Sequence, residues 1–279
     1  MTPKNSKRAA IAATALAALT LTACASGASS TPAPQNSAGI TLISADKLTT
    51  CTHLSYKPFQ FRDASNQIVG FDIELIDLVA EELGVEQEII DIEFEQITSG
   101  AAFAAGKCDI GAAATTITDA RRQAVLFSVP YFEATQALLV KADSGIDSLE
   151  DLRGKKLGVQ TGTTGQIFAE ENAAQYGYET VVFDDGPLTL NGALSGRVDA
   201  SINDNGVVLD FAKENPTLTM SAEFDTDEQY GFFAAKDDEN AAKLIDVVNE
   251  TLSAAKADGR YAEIYEKYFG AAPTNIPIP

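Results

Sequence analysis

Short apolar runs alternate with helical segments along most of the chain, and the alternation starts over once. A strand, a helix and another strand in succession force the two strands to lie parallel, because the connection must cross back over the sheet. The first series reads as a strand at 47–52, a helix at 71–83, a strand at 88–94, a small-residue helix at 98–106, a buried strand at 108–114 and a helix from Asp119 onward. In the helix at 71–83, Phe71, Leu75, Leu78, Val79 and Leu83 share one face, Asp72, Glu74, Asp77 and Glu81 the other, and Gly84 is placed to end it. The second series begins after Lys141. It has a short helix ending at Gly154, strands at 156–160, 180–183 and 200–203, and helices at 163–176, 187–195 and 205–214. Two helices at 237–256 and 260–269, split by Asp258-Gly259, close the chain. Two α/β lobes follow, with ligand-binding positions at the carboxyl ends of their strands and a cleft between the lobes as the place for a small molecule.

The charge balance narrows the partner. Twenty Lys and Arg against 40 Asp and Glu give a net charge of −20. Such a surface repels phosphate backbones and bare anionic lipid, which excludes nucleic acid as a partner and a basic patch as a membrane contact. No apolar run of about 18 residues follows the N-terminal region, so no spanning helix is expected there. Three Cys and one His fall short of a Cys/His zinc cluster; no metal and no cofactor are expected.

The first residues have a composition of their own. Lys4, Lys7 and Arg8 precede an Ala/Leu-rich stretch at 9–21, the layout of a secretory signal. The string Leu21-Thr22-Ala23-Cys24 resembles the lipobox of bacterial lipoproteins, which are cut before a Cys that carries lipid. Residues 1–23 are expected to be a signal peptide and Cys24 the lipidated mature N-terminus. Residues 24–39, uncharged and rich in small residues and Pro, are expected to form a flexible tether. The protein is thus expected outside the cytoplasm, held to the cell membrane by its lipid anchor. Cys51 and Cys108 remain as an exported pair, for which a disulfide is open. Both fall on predicted strands, one near a strand end and the other at a strand start. Parallel neighbours would hold those ends apart, so two buried free thiols are the expectation.

Three strand-to-helix turns carry candidate chemistry. Residues 113–122 (AATTITDARR) run off a buried strand into a helix start, where Thr hydroxyls and free N–H groups make an anion-binding corner. Arg121 in the first turn opposes the helix dipole and needs an anionic partner, either a bound carboxylate or a structural Asp. A second corner, QTGTTG at 160–165, allows close backbone approach but has no P-loop Lys. Asp204, just past a strand, could accept from an ammonium group or simply cap the next helix.

With these turns in place, the chain resembles the polar amino-acid family of extracellular solute-binding proteins that feed ABC importers. The resemblance rests on YKPF (56–59), IVGFDIEL (68–75), GKCD (106–109) and ITDAR (117–121), then LRGKKLGV (152–159), GTT (162–164), GRVDA (196–200) and DGRY (258–261). It implies an α/β, type II two-lobe periplasmic-binding-protein-like fold. Two parallel-sheet lobes, 40–134 with 235–279 and 139–230, would be joined by two crossover strands. It also implies a monomeric receptor that closes on a polar amino acid and hands it to the transmembrane permease subunits of an ABC importer. By motif position Arg121 would grip the ligand α-carboxylate, helped by Thr116 and by Thr164 from the other lobe. Asp204 would take the α-ammonium with the Ala114 carbonyl, and Tyr56 would lie over the ligand side chain. Asp109 and Asp199 match motif positions but read as structural.

The chain departs from the family pattern at three places. Gln96 stands where an aromatic partner for Tyr56 is often found, and Ala113 and Ala114 replace hydroxyl residues. His53 stands where cation-binding members often carry an acid. If it lines the pocket, a neutral polar or acidic side chain suits it better than Arg or Lys, while Glu95 keeps a cationic ligand open. Two other functions use the same fold: a lipoprotein that reports ligand to a receptor, and a dehydratase acting on prephenate-like acids. For the dehydratase only His53, Glu95 or Asp204 could supply the acid.

Overall fold

The computed structural model describes residues 38–273. The expected signal peptide, the lipidation position Cys24 and all but the last two residues of the expected tether lie outside the described residues. The first half contains β1 (Lys47–Thr52), β2 (Phe61–Arg62), β3 (Ile68–Val69), α1 (Phe71–Leu83), β4 (Glu86–Asp91), α2 (Phe94–Thr98), α3 (Ala101–Ala104), β5 (Ile110–Gly111), α4 (Asp119–Arg122) and β6 (Val125–Phe127). Then come β7 (Phe132–Lys141), a 3₁₀ turn (Glu150–Leu152), β8 (Lys156–Gln160), α5 (Thr164–Tyr176), β9 (Glu179–Phe183), α6 (Gly186–Ser195), β10 (Ala200–Asp204) and α7 (Asn205–Glu214). The last elements are β11 (Leu218–Tyr230), β12 (Phe233–Ala235), α8 (Glu239–Asp258) and α9 (Arg260–Phe269).

Two five-stranded sheets, ordered β4-β1-β5-β12-β6 and β11-β7-β10-β8-β9, give the two-lobe architecture that the resemblance implied. Their series strands are parallel, as the alternation requires: β1 with β4 and β5, and β8 with β9 and β10. The sheets are not wholly parallel, however. β12 runs antiparallel to β5 and β6, and β7 antiparallel to β10 and β11. The cause lies in the route of the chain. It leaves the first sheet after β6 to become β7 of the second and returns from β11 to become β12 of the first.

At this double crossing Tyr131 N–H donates to the Tyr230 carbonyl at 2.9 Å, and the Tyr131 ring stacks on Phe232 with centroids 4.1 Å apart. Phe59, Phe71, Phe132, Tyr230 and Phe269 surround the crossing in edge-on and stacked pairs, all of them buried except the half-buried Phe269. Aromatic pairs of this kind contribute roughly 0.5–1.5 kcal/mol each beyond their buried area. One apolar core therefore runs through the junction of the lobes.

Local differences from the sequence reading have identifiable causes. The helix expected at 98–106 is two short helices, α2 and α3, because Gly100 adopts a left-handed φ of 79° between them. The strand expected at 88–94 ends at Asp91, and Phe94 opens α2 instead. Cys51 and Cys108, expected as free thiols, form a disulfide with Cα atoms 5.6 Å apart. Strand β5 begins only at Ile110, so Cys108 lies in the segment arriving from α3 and no ladder register holds it away from β1. The bridge joins cysteines 57 positions apart in sequence, within a small apolar cluster containing Ile97, Val125 and Phe233. Reduction, or Cys51→Ala with Cys108→Ala, should lower the unfolding free energy by about 2–4 kcal/mol, read as a lower urea midpoint. An unchanged midpoint would mean that the bridge constrains nothing that unfolding releases.

Candidate functional site

The wall contributed by the first sheet is set by a buried carboxylate. Asp72, at the start of α1, accepts from the Ala114 N–H at 2.7 Å and from the Tyr131 hydroxyl at 2.7 Å. Burial, only partly offset by these two donors, pushes its carboxyl up to about 7. The contact holds Ala114 at a left-handed φ of 45° and leads the chain into Thr115 and Thr116 along the cleft. Thr118 then caps α4, accepting from the Arg121 N–H at 3.2 Å. The Arg121 guanidinium donates to the carbonyls of Thr116 (2.8 Å) and, across the cleft, Gly162 (3.2 Å), and packs 5.2 Å from the Phe94 ring centroid. Among the described residues it has no carboxylate within ion-pair distance, so it is not spent on a structural Asp. Burial lowers its pKa, and the fields of Asp204 and Glu228 oppose that shift.

The facing wall belongs to the second sheet. Asp204 occupies the N-cap position of α7, yet its side chain makes no cap. It turns into the cleft and accepts from the Tyr56 hydroxyl (2.6 Å), the Gln136 amide (2.6 Å) and the Tyr230 hydroxyl. The same Gln136 Nε2 donates to Glu228 at 3.0 Å. Glu228 in turn accepts from Thr116 (2.6 Å) on one wall and Thr164 (2.8 Å) on the other. Burial first, then the negative field of Glu228, raises the Asp204 carboxyl to about 6 against the pull of its three donors. Both walls reach across, so the cleft encloses a cavity of only about 30 Å³.

His53, Tyr56, Ala114, Thr116, Arg121, Thr164 and Asp204 thus line one cleft. Gln96 does not. It is exposed on α2 and accepts from Lys107 Nζ at 3.2 Å. The aromatic at this wall is Phe94, two residues earlier, and two residues along a helix lie about 200° apart, so the pair cannot face the same way. Asp109 and Asp199 hold backbone, accepting from the N–H groups of Ile43 and Thr49 and of Lys156. The sequence reading missed Phe94, Gln60, Gln136, Gln160 and Asn203, all in the cleft wall, and Glu228, which braces two of its threonines. A signal existed for Gln136, an amide immediately before the apolar run ALLV (137–140). None existed for Glu228, one acid among several in AEFDTDEQY.

A fixed cation and a fixed carboxylate on opposite walls suit a small zwitterion. Residues 48–271 match the bacterial extracellular solute-binding proteins, family 3. The chain belongs to this family. It is 31% identical over 273 residues to a probable histidine-binding protein of Neisseria gonorrhoeae, covering 95% of this chain and 96% of that one. An ancestral arginine-binding protein solved with arginine is 40% identical with a TM-score of 0.74, covering 81% of this chain and 99% of its own. An ancestral amino acid-binding protein described as a precursor of cyclohexadienyl dehydratase is 36% identical with a TM-score of 0.71, covering 80% and 96%. Members of the family are extracellular, and these relatives bind amino acids.

Asp204 makes stability depend on pH in a defined direction. Its carboxyl rises from 3.8 to about 6 on folding, so the protonated form is favoured in the folded chain and stability is lost as pH climbs between those values. Asp204→Asn cannot ionise. Its stability relative to the parent chain should therefore rise by about 2–3 kcal/mol between pH 4 and pH 7, measured by urea unfolding. A difference that stays flat across this range would mean that Asp204 ionises as readily folded as unfolded.

Proposed function

We propose that the protein is a monomeric, lipid-anchored receptor that closes its two lobes on a polar amino acid and delivers it to the permease of an ABC importer. The observation that carries this reading is the pairing of Arg121 and Asp204 across one cleft, each in reach of groups from the other lobe. Burying a zwitterion strips the water from two charges, and each needs a charged or dipolar partner. Arg121 offers a bidentate fork to the α-carboxylate, with Thr116 and Thr164 beside it. Asp204 offers an acceptor to the α-ammonium, with the Ala114 carbonyl, and Tyr56 covers the side chain. The present contacts of Tyr56 with Asp204 and of Arg121 with Gly162 occupy the cleft, so entry of ligand requires the walls to part. Closure then recovers contacts to both lobes, a ligand-driven population shift.

The relative described as a precursor of a dehydratase makes an enzyme the second reading. An acid for such a reaction must give up a proton. Asp204 already accepts from three donors, an arrangement that orients it as an acceptor for an ammonium group. We therefore read the protein as a binder and not an enzyme. The anchor reading rests on the string ending at Cys24, which also removes the basic n-region from the mature chain. A sensing role would use the same clamp, and a permease and ATPase encoded beside the chain would favour transport over it.

The test is calorimetry of the purified chain, unfolded and refolded to strip carried-over ligand, against the twenty amino acids. Heat from one or a few of them with no product formed supports the receptor. Turnover of a prephenate-like acid that disappears in Asp204→Ala would support the enzyme instead. Arg121→Ala should weaken amino-acid binding by about 2–5 kcal/mol, the range for breaking a buried charged pair; unchanged affinity in a folded variant removes Arg121 from the site. Cys24→Ser should move the protein from the membrane fraction to the soluble one, and membrane retention without detergent would sink the anchor.

A further inference from the structure

Three buried acceptor atoms on the cleft wall lack a donor among the described residues: His53 Nε2, Gln60 Oε1 and Gln136 Oε1. Their chemical identity is fixed by what lies at the other end of each side chain. A carbonyl can only accept, so the contact of His53 Nδ1 with the Ile92 carbonyl at 2.9 Å places the hydrogen on Nδ1 of the neutral ring and leaves a lone pair on Nε2. Gln60 Nε2 donates to the His53 carbonyl at 3.4 Å, which makes its unpartnered atom the oxygen. Gln136 Nε2 donates to two carboxylates, with the same consequence. Gln60 and Gln136 are 1% and 0% exposed, so bulk water does not satisfy them.

Charge points the same way. Arg121 is the cation of this cleft, whereas Asp204 and Glu228 are two carboxylates joined through one amide. An amino-acid backbone adds one positive and one negative charge and leaves that excess uncorrected. A positive side chain corrects it.

We infer that the cleft selects an amino acid whose side chain ends in a donor-rich cation of the guanidinium type, and that His53, Gln60 and Gln136 are the residues that read it. The inference rests on the amino-acid receptor reading above. A guanidinium brings five N–H donors and no acceptor, matching a wall of acceptors. A carboxamide brings two donors and an oxygen that would face another acceptor, and a carboxylate brings acceptors only. His53 therefore works in the opposite sense to the one its type implied in the sequence. With the Nδ1 hydrogen on the Ile92 carbonyl, the neutral form of the ring offers Nε2 as an acceptor, which favours a cationic side chain and disfavours an acidic one.

Citrulline separates the possibilities, because it keeps the shape of arginine and exchanges one nitrogen for a neutral oxygen. Calorimetry of the stripped full chain should show L-arginine binding at least about tenfold more tightly than L-citrulline, L-glutamine or L-histidine, and no heat from L-glutamate. His53→Leu should shrink the arginine-to-citrulline ratio by at least about threefold. Binding in which citrulline, glutamine, histidine or glutamate equals or exceeds arginine overturns this inference and leaves the receptor reading standing. An unchanged ratio in folded His53→Leu removes His53 from the selection. Silence from every amino acid overturns the receptor reading, and the inference with it.

Discussion

One buried amide holds the two halves of the cleft in register. Gln136 Nε2 donates to both Asp204 and Glu228, and all three side chains are nine-tenths or more buried. Two carboxylates at that depth repel each other, and each would be costly without donors. The fold supplies those donors from everywhere at once: tyrosines from the first lobe and the crossing, threonines from both walls, and the amide from β7. A polar node of this kind is favourable only while all its partners are in place. Its members come from both lobes, so separating the lobes dismantles part of it and closing them restores it.

The node sits at the crossing of β7 and β11, where the aromatic cluster around Phe59, Phe132 and Tyr230 gives the junction a continuous apolar floor. Tyr230 joins the two environments, its ring stacked with Phe132 and its hydroxyl on Asp204. A tyrosine suits that boundary because one end is apolar and the other needs a partner. The cleft and the junction between the lobes are therefore one structure, and a change in either is felt in both.

The series strands and helices were legible because local chemistry marks them. β8, α7 and α9 coincide with the segments read from periodicity, and α5 is capped by Thr163 and stopped by Gly177 as its sequence requires. β7 and β11 were not read from periodicity. β7 is apolar for most of its length but follows no helix, and β11 alternates polar residues along a half-exposed edge. The site divides in the same way. Tyr56 and Arg121 stand inside recognisable strings, and Asp204 ends β10. Gln136 and Glu228 lie on the crossing strands, where nothing local sets them apart. Gln96 entered through the resemblance alone, and the helical period of α2 turns it away from Phe94, which faces the cleft.

By itself the sequence determined two α/β lobes, an acidic surface that repels nucleic acid and bare anionic lipid, and the strings that carry Tyr56 and Arg121. These follow from patterns within a few residues of one another: apolar period, caps and the punctuation of Gly and Pro. Tertiary structure alone decided that Cys51 meets Cys108, that Asp204 turns from its helix into the cleft, and which nitrogen of His53 is left without a partner. Each of these depends on atoms distant in sequence, such as the Ile92 carbonyl against His53 or Gln136 against Asp204. No local pattern encodes where a buried polar group will find its partner, because that choice is made only when the whole core closes around it.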